Sequence, residues 1–402
     1  MRILVISRSV FSNSPQSIRF RNLIESWRAN HSIKLLTFKD NINVNSDFYR
    51  QNEIFVVKKN FFTSKIAKSL FAPRIQNRTE SNRAIGLLKK VNYRKFFFPD
   101  TYIFTILAIK KKLLEILKSS HFDVIIISGF PFSFQIFGKH IRKSGLFEGL
   151  VVYDTGDPFY GNSSVSTQGL MHKLFSFKYE NKHLSYFDFI VVPTERLKNH
   201  YERSFPKLKN KILIVAQGVQ MSESQTSQSI PLQLEKVVKL VYIGSFYKGI
   251  REPYKLFEAL DGDSRFLLNI FGRINPEFYI EQNNIKYNGE IEYSIVNEQY
   301  QKSNIVVFID NFEGFQIPGK LFEVLVQKKP ILFISGDLET PSKTYVSNIS
   351  FVFVVENNKK SILKGVERIL ESYDNIDCSF DSSELSWSYL AKEYLESIAN
   401  EI

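Results

Sequence analysis

The chain has 402 residues, 44% of them hydrophobic, with 37 phenylalanines and a formal net charge of +12. That length suits about two to three average domains with real cores. One cysteine, Cys378, excludes an internal disulfide; with no two of the six histidines at metal-ligand spacing, a structural zinc cluster is excluded too.

In chain order, MRILVISRS enters a strand-like run at once and lacks the longer apolar core and cleavage site of a signal peptide. A first series of short, Ile- and Val-rich runs follows: 3–7, 33–38, 54–57, 124–128, 150–154, 189–192 and 212–216. Such continuously apolar runs suit strands buried on both faces of a parallel sheet. Helix candidates lie between them, at 14–30, 101–119 and 133–143. Ser14 followed by Pro15 makes a good cap and first turn.

Between Lys58 and Lys95 the chain places eleven basic residues against one acid, Glu80, interleaved with aromatics such as Phe61, Phe71 and Tyr93. That mixture suits an anionic membrane surface. A solvated basic surface over an ordinary core is the plainer alternative, and nucleic acid the weakest. The longest apolar stretch, FFFPDTYIFTILAI (96–109), is broken by Pro99 and Asp100, short of the ~20 residues that span a bilayer. The expected location is the cytoplasm, peripheral on the inner face of the cell membrane.

The stretch QMSESQTSQSIPLQLE (220–235) is polar and reads as a linker. A second series of strand-like runs follows at 240–244, 266–271, 285–287, 305–310, 331–335 and 351–355, with helix candidates at 251–260, 318–328, 359–372 and 386–402. Two alternating series predict an α/β protein of two doubly wound, Rossmann-like domains facing a central cleft, with ligands at the carboxyl ends of the strands. The expected domains are 1–218, a linker at 219–236, 237–385, and a closing helix at 386–402.

The stretch GFQIPGKLFE (314–323) nearly spells a P-loop, but Leu321 stands where that motif needs a hydroxyl for magnesium, and Pro318 removes an N–H from the cradle. The expectation is a different anion site. Pro318 opens a helix whose free N–H groups, from Gly319 to Leu321, face a ligand together with the Lys320 charge. Two more strand-end loops combine glycine with a base: Gly244, Lys248, Gly249 and Arg251 in one, Gly272 and Arg273 in the other. All three would converge on one edge of one sheet, where they would hold a pyrophosphate.

These residues together resemble the GT-B-fold glycosyltransferases of the family-four-like group that builds bacterial surface polysaccharides. The resemblance covers nearly the whole chain. It is most specific in YIGSFYKGIREP, KYNGEI (286–291) and IPGKLFEVLVQKKPILF (317–333), where Pro318, Gly319, Lys320, Glu323, Lys329 and Pro330 match the family pattern. In the N-terminal half, FPDTYIFTILAI (98–109), FDVIIISGFPFSF (122–134) and LVVYDTGDPF (150–159) resemble the same group.

The resemblance implies that Glu323 holds the ribose, Lys248 and Arg251 the diphosphate, and the Glu290–Ile291 turn the border of the base. Arg19 matches an early arginine and is assigned to the acceptor. The helix from Trp387 would cross back onto the N-terminal domain. The donor set is thus Gly244, Lys248, Arg251, Gly272, Arg273, Glu290, Ile291, Pro318, Gly319, Lys320, Leu321 and Glu323. The reaction is read as retaining, with Glu313 beside the donor sugar. If it inverts, Asp157 in YDTGDPF is the candidate base for the acceptor hydroxyl. Asp157 also reads as a turn-former before Pro158, and Asp154 as structural.

The expected function is transfer of a sugar from a nucleoside-diphosphate sugar to a lipid-linked glycan acceptor, with no cofactor, no metal and no nucleic acid. Two departures favour a non-catalytic scaffold instead. Glu313 and Glu323 have nine residues between them where the family has seven, and SRSVFSNSPQS lacks the family's early glycine pair. A sugar-nucleotide epimerase or hydrolase on the same fold is the third reading.

Overall fold

A computed structural model describes residues 1–8, 10–12, 14–38, 46–57, 98–162, 169–220, 234, 236–311, 313–336 and 338–400. The basic segment 58–95 and most of the linker 219–236 lie outside these residues. By its contacts the chain divides into two compact units, one of residues 1–215 with 391–402 and one of residues 216–390.

In the first unit, among the described residues, seven strands run in the order β3-β2-β1-β4-β5-β6-β7. They are β1 (Arg2–Ile6), β2 (Ser32–Phe38), β3 (Glu53–Val57), β4 (Val124–Ser128), β5 (Leu150–Asp154), β6 (Phe189–Val192) and β7 (Ile212–Ile214), and every pairing is parallel. All five residues of β4 are buried, as an unbroken VIIIS run requires at the centre of a covered parallel sheet. The helices are α1 (Pro15–Trp27), α2 (Asp47–Gln51), α3 (Ile106–Ser119), α4 (Ile136–Ser144), α5 (Gly169–Leu184) and α6 (Glu195–Ser204).

The Ser14 side chain caps α1 by accepting from the Ser17 N–H, and Pro15 needs no donor there. Phe20, Leu23 and Ile24 on one face of α1 are fully buried, each worth roughly 1.5–3 kcal/mol of apolar transfer. Trp27, at its end, donates its indole N–H to the Ala391 carbonyl at 2.8 Å and packs edge-on against Tyr394 at 5.2 Å. The last turns of the closing helix therefore belong to the core of this unit.

The second unit repeats the plan with, among the described residues, six parallel strands in the order β10-β9-β8-β11-β12-β13. They are β8 (Val238–Ile243), β9 (Phe266–Phe271), β10 (Ile285–Tyr287), β11 (Ile305–Ile309), β12 (Ile331–Ser335) and β13 (Val352–Glu356). Its helices are α7 (Tyr254–Leu260), α8 (Tyr293–Gln301), α9 (Gly319–Leu325), α10 (Pro341–Val346) and α11 (Lys359–Ser372), and α12 (Trp387–Ala399) closes the chain. Strand order reverses between β1 and β4 in the first unit and between β8 and β11 in the second. Those two crevices, at the carboxyl ends of the strands, are where a doubly wound sheet binds ligands. Among the described residues no helix is long and apolar enough to cross a membrane.

Candidate functional site

The crevice of the second unit is built from three strand ends. Gly244 follows β8 and Gly272 follows β9. Both have positive φ, 158° and 133°, and the Gly244 N–H donates to the Phe271 carbonyl at 2.8 Å. A Cβ on Gly272 would stand 2.2 Å from the Gly244 carbonyl oxygen, so only glycine lets these two loops touch. Beyond Gly244 the chain folds back on itself: Tyr247 and Arg251 exchange both backbone hydrogen bonds, at 2.9 and 2.8 Å. Lys248 lies exposed at the tip of this turn.

Arg251 points from that turn to the loop after β11, where its Nη2 donates to the Asn311 side chain at 2.8 Å. The Asp310 carboxyl beside it is buried, which raises its pKa, and it accepts from the Thr340 hydroxyl that also caps α10. That contact pins the start of the loop leading to α9. On α9, Lys320 Nζ lies 2.7 Å from Glu323 Oε2 and 5.8 Å from the centre of the Tyr300 ring. The two ends of the crevice meet electrostatically at Tyr242. Burial pushes its phenol up, while the positive charges of Arg251 and Lys320 pull it back. Burial, and after it the Glu323 charge, raises the phenols of Tyr293 and Tyr300 on α8. A guanidinium, an ammonium and a carboxylate thus share one crevice, the set needed to hold an anionic group and a pair of hydroxyls.

With that geometry in hand, the whole chain overlays known structures. It matches lipopolysaccharide outer core galactosyltransferase WaaB, apo form, with a TM-score of 0.67 and 13% identity over 100% of both chains. It matches Anabaena Alr3699/HepE in complex with UDP with a TM-score of 0.64 and 10% identity over 100% of both chains. Sucrose-phosphate synthase from Thermosynechococcus elongatus gives 0.63 and 12% over 100% of this chain and 99% of that one. The chain has the GT-B glycosyltransferase fold. No family model and no curated protein matches the sequence.

Within this GT-B fold, the structure brings together Gly244, Gly272, Arg251, Lys320 and Glu323, with Gly319 opening α9. It corrects two expectations on that loop. Pro318 precedes α9 as its cap residue, and is not its first helical residue. Leu321 offers nothing to a ligand: its side chain is fully buried and its N–H donates to the Pro318 carbonyl at 2.8 Å. Lys248, Arg273, Glu290 and Glu313 are exposed at the same sheet edge, and Ile291 packs against the core beneath it. Among the described residues no group of three or more His, Cys, Asp and Glu could hold a metal ion.

Arg19 is the third correction. It lies in a buried ion pair, with Nε and Nη2 3.0–3.2 Å from the Asp154 carboxylate and Nη2 3.1 Å from the Val215 carbonyl. Its charge is spent inside the first unit and is not available to an acceptor. Asp157 lies half-buried in the loop after β5, its carbonyl accepting from Thr155 Oγ1 at 2.7 Å.

The residue that sequence reasoning missed in this unit is Glu180 on α5. It is fully buried, and its carboxylate accepts from the N–H groups of Phe159 and Tyr160, the Tyr201 hydroxyl and the Gln135 amide, at 2.7–3.2 Å. Gln135 passes the network on to the Tyr153 hydroxyl, which donates to the Gly129 carbonyl at 3.0 Å. One carboxylate thus ties down the loop carrying Asp157 and the end of β4. Burial outweighs the four donors and pushes its pKa up to about 7. Nothing around KYENKHL marks that role.

Proposed function

We propose that this chain is a nucleotide-sugar-dependent glycosyltransferase, moving a hexosyl-type sugar from a nucleoside diphosphate to a lipid-linked glycan in bacterial surface polysaccharide synthesis. The observation that carries the reading is the convergence of Arg251 and Lys320 at the β8/β11 crevice, with Glu323 beside Lys320. In this reading the two cations take the diphosphate, whose charge grows as the sugar leaves, and no metal is required. A diphosphate reaching Lys320 competes with Glu323 for the ammonium, which frees the carboxylate for the ribose hydroxyls. Lys248 and Arg273 add positive charge from the same edge, and the Glu290–Ile291 turn borders the base. Glu313 sits beside the donor sugar in a retaining reaction. Contact with an anionic membrane is assigned to the segment 58–95.

Calorimetric titration with UDP and other nucleoside diphosphates tests the reading. Binding lost in Lys320→Ala and Glu323→Ala but kept in Asp157→Ala supports these roles; binding of no nucleoside diphosphate by the wild type sinks it. A donor screen read by mass spectrometry then identifies the sugar and separates transfer from hydrolysis or epimerisation. The anomeric configuration of the product by NMR decides between retention and inversion.

A further inference from the structure

Beneath the Lys320–Glu323 pair lies a phenol that the fold does not use. Tyr300, near the end of α8, is 1% exposed and shares a buried apolar cluster with Leu321, Phe322 and Val324 of α9. Among the described residues its hydroxyl has no hydrogen-bond partner, and the oxygen is closed to solvent. Buried polar groups are paired as a rule, because an unpaired one gives up its hydration for nothing. Phenylalanine would fill the same space without that cost. The neighbouring phenol shows the ordinary arrangement: Tyr242 is also buried, and it donates to the Ser245 carbonyl at 3.1 Å.

The surroundings of Tyr300 point to a partner. The Lys320 ammonium stands 5.8 Å from the centre of its ring and holds Glu323 Oε2 at 2.7 Å. Of the charges bearing on the Tyr300 hydroxyl, that of Glu323 is the largest, and burial keeps the phenol protonated, with a proton to donate. A hydroxyl closed to solvent does not touch a ligand in an open crevice. It acts on one only through a side chain that reaches both, and Glu323, partly exposed, is placed to do so. A carboxylate has two oxygens and about four acceptor positions. With Lys320 drawn to a diphosphate, one oxygen can take the phenol while the other faces the ribose.

We propose that Tyr300 is a positioning residue of the donor site: its hydroxyl donates to the Glu323 carboxylate once a diphosphate has taken Lys320, and holds that carboxylate toward the ribose hydroxyls. The inference rests on the donor reading of this crevice. It makes the exchange at Lys320 a coupled one. The carboxylate loses an ammonium and gains a phenol, so diphosphate and ribose are recognised together.

UDP and 2′,3′-dideoxy-UDP are the probes, titrated by calorimetry, with thermal unfolding of the nucleotide-free protein beside them. Tyr300→Phe binds UDP about three- to tenfold more weakly than wild type, the scale of one hydrogen bond. It binds 2′,3′-dideoxy-UDP as wild type does, because the hydroxyls that Glu323 would hold are gone. Its unfolding midpoint without nucleotide is not below that of wild type, because the hydroxyl it removes had no partner to lose. Unchanged UDP affinity, with or without a lower midpoint, overturns the proposal, as does an equal loss with both nucleotides. Should Tyr300→Phe fail to fold, 4-fluorophenylalanine at position 300 fills the space of the hydroxyl without a donor and is read the same way. Binding of no nucleoside diphosphate by wild type removes the donor reading and this role with it. A loss of UDP binding in Glu323→Ala beside wild-type affinity in Tyr300→Phe removes this role alone.

Discussion

Each half of the molecule places a basic side chain and a carboxylate in contact near its sheet edge, and the two pairs have opposite fates. Arg19 and Asp154 are 7% and 4% exposed, with Arg19 Nη2 bonded to a carbonyl as well. Lys320 and Glu323 are 25% and 30% exposed and lie one turn apart on a seven-residue helix. The first pair is enclosed and fully used, so its contribution is to the fold. The second faces solvent on one side and can exchange partners, which is what the proposed ligand role asks of it. The family resemblance implied a binding role for Arg19 as for Lys320 and Glu323, while Asp154 read as structural.

The largest effect should come from breaking the enclosed pair. Arg19→Ala leaves the Asp154 carboxylate buried without its counter-charge, a loss of about 3–5 kcal/mol. Denaturant unfolding checks it. The double variant Arg19→Met with Asp154→Leu, which removes both charges, should recover much of the loss. A single variant as stable as wild type would return Arg19 to the pool of ligand-binding residues.

Next comes the buried Glu180 carboxyl, which among the described residues has hydrogen-bond donors but no cation beside it. Burial raises Glu180 from 4.5 to about 7, so between those values the folded chain binds its proton more tightly than the unfolded chain. The stability it contributes is complete below that window and is lost as pH rises through it, by roughly 3 kcal/mol. Wild type should therefore lose stability from pH 5 to pH 8 relative to Glu180→Gln, which has no proton to release. Parallel pH profiles for the two proteins would remove Glu180 as the titrating group.

This residue also shows where the sequence could be read and where it could not. Strands such as VIIIS (124–128) and ILFIS (331–335) were legible because a covered parallel strand is apolar at every position, whichever way it faces. Helix α5 was not, because its pattern is inverted: Ser176 and Glu180 are buried while Leu174 and Phe175 are exposed. An amphipathic rule assigns such a helix no face. The phosphate-type loops were legible from glycine and charge, yet whether a charge is already taken depends on a partner far along the chain. Arg19 meets Asp154 across 135 positions, and no local spacing records that. Leu321 failed for a different reason: a turn closing back onto Pro318 uses the N–H that a longer, open helix start would leave free.

On the ligand side, Lys320→Ala should weaken nucleoside-diphosphate binding ten- to a hundredfold, on the order of 1.5–3 kcal/mol for a charge-assisted contact. Calorimetry reads it directly, and raising salt should narrow the gap between variant and wild type, since the crevice is open to screening. Equal affinities would move the diphosphate to Arg251 and Lys248 alone.

The smallest effect sharpens the comparison most. If the Lys320–Glu323 pair is held for a ligand and not for the fold, removing it should cost the free protein little. Side chains this exposed recover hydration when unpaired, and an i,i+3 pair on a helix surface is worth about 0–1 kcal/mol. The apolar side of α9, with Leu321, Phe322 and Leu325 buried, carries the packing whether or not the pair forms. Unfolding of Lys320→Ala and Glu323→Ala without nucleotide should therefore track wild type within that margin. A UDP concentration that saturates wild type should then stabilise it more than either variant, because the shift in unfolding follows the ligand's affinity for the folded state. A large loss of stability without UDP would make this pair a second Arg19–Asp154, and the difference between the two halves would disappear.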